Sequence, residues 1–173
     1  MIIHSWSMIS ECNAGQIEES CKQQNATDFT CDAVQLPVLQ GGLERAQILK
    51  DKTIHRQFSD VSTISMTNDL SGETVTGWKL DKGYYRTESK LWVRIPENTV
   101  GWVVQRSSLN RNGVVVMGSL YDSGYYGPIA STIYVFNPYG IFIEQGARIG
   151  QFVLAQAEML SLYNGQYQNV ERK

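Results

Sequence analysis

Through the second half of the chain, apolar and polar residues alternate in short runs that are cut by turn formers. The stretch GYYRTESKLWVRIPENTVGWVVQ separates aromatic and β-branched residues by clusters such as Pro96-Glu97-Asn98, which predicts strands over 91–95 and 100–105. Further runs predict strands over 114–121, 130–136, 141–143 and 149–155. Asn137-Pro138-Tyr139-Gly140 and Glu144-Gln145-Gly146 are the turns between the last three. Upstream, NATDFTCDAVQLPVL alternates from Asp28 until Gln40-Gly41-Gly42 breaks it, with Asp32 as a second acid nearby. Period-two character returns from Ile54 to Met66, ahead of the turn NDLSGE. Helix is scarce. One short helix is expected over 16–24, where Ile17 and Cys21 lie one turn apart, and a single helical turn is expected in SSLNRNG, with Ser107 or Ser108 as N-cap and Gly113 at its end. Many short strands at close spacing predict an all-β fold, a barrel or jelly-roll-like sheet with one or two short helices. A chain of 173 residues can bury one sizeable core, so a single domain over 1–173 is expected. Its polar tail, 159–173, is either a frayed end or an active-site flap that orders on a ligand.

Charge and cysteine usage narrow the function. A net charge of −2 argues against a broad nucleic-acid surface, although two or three arginines would suffice for a phosphate ligand. Cys12, Cys21 and Cys31 are odd in number and lack zinc-site spacing, so they read as free thiols in a reducing cytosol. The opening MIIHSWSM lacks a basic n-region, and no apolar run approaches the length of a membrane span. A cytoplasmic protein without membrane partners is therefore expected, whether encoded by a cell or by a virus within its host cell. Asn25-Ala26-Thr27 matches a glycosylation acceptor by letter and is set aside without a secretory signal. His4 and His55 have no partners at ligand spacing and read as structural.

The candidate chemistry is concentrated between Arg106 and Gly127, RSSLNRNGVVVMGSLYDSGYYG. Arginine beside two hydroxyls suits phosphate oxygens, and an aspartate beside tyrosine and glycine suits a tight turn that presents a carboxylate to a pocket. Arg106 and Arg111 are five residues apart, so a strand end and a turn of helix could aim both at one polyphosphate. Arg111 could equally be a surface charge, and one of Ser107 and Ser108 could merely cap the turn. Asp122 could orient and deprotonate a water, or simply form its turn. Tyr125 could stack on a sugar or pack on Tyr126. Gln151, opposite Phe152 in the alternation, could face a pocket or solvent. Tyr163 and Tyr167 could equally share one face of a short helix.

These motifs, in this order, resemble those of the trimeric dUTP diphosphatases (dUTPases) and dCTP deaminases, best over the C-terminal half and more weakly around Asp28. NATDF looks like the first motif, and the resemblance implies that Asp28 lies near the metal-bound phosphates, touching Mg2+ through water. RSSLNRNG resembles the deaminase form of the second motif, with Arg106, Ser107, Ser108 and Arg111 on the triphosphate. DSGYYG is similar to the third, with Asp122 as the catalytic carboxylate and Tyr125 beneath the deoxyribose. GARIGQF resembles the fourth, with Gln151 on the phosphate side. YNGQYQ is similar to the deaminase tail, in which Tyr163, Tyr167 and Gln168 would close over the nucleotide. The resemblance implies a dUTPase-like distorted β-barrel and a homotrimer with sites shared between subunits.

Two departures bear on the activity. Deaminases of this kind carry a catalytic glutamate on the strand after the third motif, whereas PIASTIYVFN has no acidic residue. The glycine-rich fifth motif of standard dUTPases is missing, and Gln166 stands where the deaminase tail usually has lysine. The expected activity is hydrolysis of a deoxypyrimidine triphosphate, dUTP foremost, to the monophosphate and pyrophosphate. The alternatives are a dCTP deaminase, or a nucleotide-binding regulatory relative with impaired turnover.

Overall fold

The computed structural model describes residues 1–13, 16–38, 47–48, 50, 53–54, 57–165 and 167–168. Short strands dominate, as the alternation predicts. The N-terminal region holds β1 (Ile2–Ile3), α1 (Trp6–Cys12), β2 (Thr27–Thr30), β3 (Ala33–Val38), β4 (Gln47–Ile48), β5 (Thr53–Ile54), β6 (Gln57–Asp60) and β7 (Ile64–Thr67). Then follow β8 (Thr74–Leu80), β9 (Gly83–Arg94), β10 (Thr99–Gln105), α2 (Ser107–Arg111), β11 (Val114–Gly118), β12 (Leu120–Tyr121), β13 (Tyr126–Val135), β14 (Ile141–Glu144) and β15 (Arg148–Gln156).

Two of the sheets matter for function. In the first, β15 is central: β10 lies along one edge, with β12 beyond it, while β1 and β2 occupy successive parts of the other edge. The second runs β11-β13-β9-β3-β6. Their shared core contains Phe29, Val93, Ile129, Ile133, Phe152 and Leu154, all nearly or fully buried. The strict alternation of burial along β13, with every second residue inside, shows a strand with one face on this core. Burying a side chain such as Phe152 contributes roughly 1.5–3 kcal/mol.

The structure corrects two local expectations. The stretch 16–24 forms only a 3-10 turn at Glu19–Cys21, while α1 forms earlier, over Trp6–Cys12. Tertiary packing decides this: α1 lies against β9, buries Ile9 in the core, and has the Asn13 side chain bonded to both backbone groups of Trp92. Neither Ser107 nor Ser108 caps α2. Arg106 takes the N-cap position in extended conformation, and both serines are exposed. Gly113, φ +72°, does close the turn.

Asp32 serves the fold. The register between β9 and β13 jumps from Trp92↔Pro128 to Glu88↔Ala130, so β9 bulges over 89–91. The Asp32 carboxylate accepts from Lys90 N at 2.9 Å and Thr30 Oγ1 at 2.6 Å, which pins that bulge. His4 is likewise structural: its ring bonds Gln23 O and accepts from Trp6 N. Cys12, Cys21 and Cys31 are free thiols. No helix among the described residues is long and apolar enough to cross a membrane. Gln40-Gly41-Gly42, His55 and Gln166 lie outside the described residues.

Candidate active site

The DSGYYG turn is held from four sides. Gly124 N donates to Ile95 O and Ile95 N to Tyr125 O, both at 2.9 Å, while Tyr125 N closes the turn onto Asp122 O at 3.1 Å. The Ser123 hydroxyl, buried, donates to Thr99 O at 2.6 Å. Gly124 has φ +86°, a conformation in which a side chain would be strained, and Leu162 packs where that side chain would go. The result is a rigid bend with the Asp122 side chain exposed at its edge. That side chain makes no hydrogen bond or ion pair among the described residues.

Tyr125 is the floor of this end. Its ring meets Tyr121 edge-on at 5.1 Å and Tyr163 at 5.6 Å, and its hydroxyl donates to Pro128 O at 3.1 Å. Tyr121 sits beneath it: the hydroxyl donates to Ala130 O at 2.9 Å and accepts from Ala130 N at 3.0 Å. Burial pushes the Tyr121 phenol up to about 12 and the Tyr125 phenol higher still. Both therefore stay neutral, which the donor-and-acceptor role of Tyr121 requires.

The tail docks on the same turn. Tyr163 N donates to Ser123 O at 2.8 Å, and the Gln168 carboxamide bridges the turn, donating to Gly124 O at 2.9 Å and accepting from Tyr126 N at 3.0 Å. Through Tyr163 and Gln168 the described part of 159–173 lies against the turn as a strap. Tyr167 stays half-exposed. Between strap and turn lies a concavity of about 670 Å³ whose lining includes Thr99, Asp122, Glu158 and Tyr163, with no Lys or Arg among the described residues.

The cations lie elsewhere. Asp28 of β2 sits directly across from Gln151 of β15, and Gln151 Nε2 donates to Asp28 Oδ1 at 3.1 Å. Gln151 is thus half-buried, with its carboxamide turned to Asp28. Arg106, just beyond the end of β10, has Nη1 3.6 Å from Asp28 Oδ2. Arg148, which the motif reading did not single out, has Nη1 3.5 Å from the same oxygen. Ser107, Ser108 and Arg111 follow Arg106 in α2 and are exposed.

Asp122 is level with the start of β10, since Tyr121 pairs with Gly101, whereas Arg106 follows its last residue. Six residues of extended chain separate the two levels, or about 20 Å at ~3.3 Å per residue. One chain therefore brings together Asp122, Tyr125, Tyr163 and Gln168 at one end, and Asp28, Arg106 and Gln151 at the other. The short sequence distance from Arg106 to Asp122 is misleading: the chain leaves along β11 and returns along β12 beside its own starting strand.

The expected metal contact does not fit this geometry. Asp28 is 0% exposed and its carboxylate is shared between two guanidinium groups and two carboxamides. No cluster of three or more His, Cys, Asp or Glu side chains suited to a metal ion is found among the described residues. Magnesium would therefore arrive on the oxygens of a polyphosphate as part of the substrate.

An exposed carboxylate in a tyrosine-glycine turn under a strap, and a guanidinium cluster at the opposite end of the same sheet, define an all-β protein equipped for anionic nucleotides. Residues 48–157 match the family described as dCTP deaminase-like, and the chain belongs to that family. It is 33% identical over 147 residues to a probable deoxyuridine 5′-triphosphate nucleotidohydrolase of Halobacterium salinarum, covering 85% of this chain and 82% of that one. A second protein so named, from Aeropyrum pernix, is 40% identical over 92 residues, which span 52% of this chain and 58% of the relative. Among solved structures, the 2′-deoxycytidine 5′-triphosphate deaminase from Agrobacterium tumefaciens superposes with a TM-score of 0.56 at 16% identity. The match covers 88% of this chain and about half, 47%, of the deaminase, and supports the fold alone.

Proposed function

We propose that this chain hydrolyses a deoxypyrimidine nucleoside triphosphate, dUTP foremost, to the monophosphate and pyrophosphate. The observation that carries the reading is the solvent-facing Asp122 carboxylate, unpartnered among the described residues, held in a rigid turn between Tyr125 and the docked tail. In this reading Asp122 takes a proton from a water as the water oxygen bonds to the α-phosphorus. The α-phosphorus to bridging-oxygen bond then breaks and pyrophosphate leaves with the electron pair. Arg106, Ser107, Ser108, Arg111 and Gln151 hold the phosphate oxygens, and Arg106 and Arg111 offset the charge that builds there. Tyr125 lies beneath the deoxyribose, with Tyr163, Tyr167 and Gln168 closing above it. Mg2+ accompanies the substrate.

Electrostatics favours a site shared between chains. Among the described residues the concavity at Asp122 is lined by two acids and no cation, so a triphosphate placed there would meet like charge from them. A complete site needs the Arg106 end of a second copy against the Asp122 end of the first. A closed ring of three copies, joined head to tail, supplies that arrangement three times over. Such a homotrimer, each chain one domain, acting on the cytoplasmic nucleotide pool, is the assembly we infer.

Deamination of dCTP is disfavoured by β13 itself, which carries no acidic side chain. The carboxylate across from it, Glu88 opposite Ala130, is nearly buried and tied to Arg86 at 2.6 Å. Product chromatography after incubation with dUTP and with dCTP tests the reaction: dUMP and pyrophosphate are expected, and dUTP appearing from dCTP would overturn it. Co-expression of Asp122→Asn and Arg106→Ala chains tests the shared site. Each variant alone should be inactive, while random mixing should restore about a quarter of wild-type activity, because a quarter of the interfaces pair two intact ends. No recovery in a confirmed mixed oligomer would rule out sites built between copies.

A further inference from the structure

One face of the β9–β13 ladder carries a group of side chains to which the proposed reaction gives no part. Trp92 and Arg94 lie two residues apart on β9 and so share a face, and Tyr126 of β13 pairs directly with Arg94. The half-buried Tyr126 ring meets the Trp92 ring at 5.1 Å, and Arg94 Cζ lies over it, 4.6 Å from its centre. Arg94 is exposed and makes no ion pair among the described residues. Helix α1 fixes both β9 residues at the backbone. Asn13 Nδ2 donates to Trp92 O at 2.9 Å and Asn13 Oδ1 accepts from Trp92 N at 3.0 Å, while Met8 Sδ accepts from Arg94 N at 3.4 Å.

Tyr126 is also where this group meets the strap. Its amide is spent on the tail: Tyr126 N donates to Gln168 Oε1 at 3.0 Å, and Gln168 Nε2 donates to Gly124 O at 2.9 Å. Where that amide points depends on the Tyr126 backbone, and a ring wedged against two neighbours restrains that backbone through its rotamer. A drift of about half an ångström is enough to spoil such a bond. We propose that Trp92, Tyr126 and Arg94 position the tail: their stack fixes the amide that Gln168 grips, so that α1 and β9 set how firmly the strap lies on the Asp122 turn. The inference rests on the reading of the strap as the cover of the bound nucleotide. Arg94 and Tyr126 are thus positioning residues, acting through Gln168 without touching substrate. A guanidinium suits the exposed place, since it stacks flat on a phenol while its edge donors stay in water.

Hydrogen exchange at Tyr163 in the full chain, without nucleotide, reads the strap directly, because Tyr163 N is bonded to Ser123 O across the contact. Tyr126→Leu should speed that exchange about tenfold and Arg94→Gln about threefold, whereas Tyr126→Phe, which keeps the ring, should match wild type. In a Gln168→Ala chain neither substitution should add to the exchange already gained; a general loss of stability would add in both backgrounds. Wild-type exchange in Tyr126→Leu, or additive effects with Gln168→Ala, overturns the proposal. If Tyr126→Leu does not fold, Arg94→Gln decides: faster exchange that disappears in the Gln168→Ala background upholds the support, and wild-type exchange removes it. Kinetics keep the two readings apart. With dUTP, Arg94→Gln and Tyr126→Leu should raise KM, by no more than Gln168→Ala does, with kcat within about twofold of wild type. The expected exchange pattern in a chain that releases no pyrophosphate leaves the support standing without the hydrolase. Pyrophosphate release with KM and exchange unchanged in both variants leaves the hydrolase without the support.

Discussion

At the Thr99 end of β10 a carboxylate stands exposed near aromatic rings, with no cation among the described residues that line its concavity; just beyond the Gln105 end, two guanidinium groups share one buried carboxylate. The first end is built from backbone. Hydrogen bonds from Ile95, Thr99 and the tail hold a turn whose side chain is left free. The second is built from side chains that hold one another. A group that must act on a water needs a fixed, open position, whereas groups that bind a highly charged anion must be oriented and kept from collapsing onto their own counter-charge. In the proposed function the two ends answer those separate needs.

The sharpest way to break this comparison is at Asp122. Asp122→Asn should lower kcat by about a thousandfold, within the usual range for a lost general base, while affinity for a non-hydrolysable dUTP analogue stays within about threefold. A variant that turns over normally would take the carboxylate end out of the mechanism. Next comes the strap. Gln168→Ala removes two hydrogen bonds to the turn, each worth about 1 kcal/mol, and should raise KM about fivefold to tenfold with a smaller effect on kcat. Steady-state kinetics with limited proteolysis beyond Ala157 would check it, and an unchanged KM would show that the strap lies clear of the substrate.

A smaller effect probes the floor beneath Tyr125. Tyr121→Phe leaves both backbone groups of Ala130 without their hydroxyl partner and should cost about 1–3 kcal/mol in urea unfolding, with kcat little changed. The same side chain sets an alkaline limit. Burial raises the Tyr121 phenol from 10.0 to about 12 and the Cys31 thiol from 9.0 to about 12. The folded chain therefore holds these protons where the unfolded chain releases them. Their contribution to stability is full below about pH 9 and is lost as pH rises toward 12, at up to about 1.4 kcal/mol per pH unit for each group. In Tyr121→Phe the fall between pH 10 and 12 should be shallower, and an equally steep fall would assign the limit to other groups.

Much of this was legible from local pattern. Alternation located the strands around Trp92, Trp102 and Phe152, because a strand with one buried face must alternate whatever its partners. It extended 114–121 as one strand where the chain breaks at Ser119, and started β13 too late, at Ala130, because Pro128 and the bulge hide the early part of that strand. The helix α1 was missed because seven residues carry little periodic signal, and docking on β9 is what stabilises it. Motif reading named residues of both ends, but a letter in a motif does not reveal that four side chains surround Asp28. Arg148 carried a signal that could have been used: it lies three residues before Gln151 in the same motif and has a second arginine's chemistry.

By itself, then, the order of residues determined where strands form, which turn must bend at Gly124, and which groups could touch phosphate or water, because those properties depend on neighbours a few positions away. Only the tertiary structure decided which of them meet. Pairing of β2 and β10 with opposite edges of β15 gathers Asp28, Gln151, Arg106 and Arg148, and the span of β10 carries Asp122 out of their reach. Contacts between residues more than a hundred positions apart arise from sheet register, and register is set by burial of whole strands against a common core.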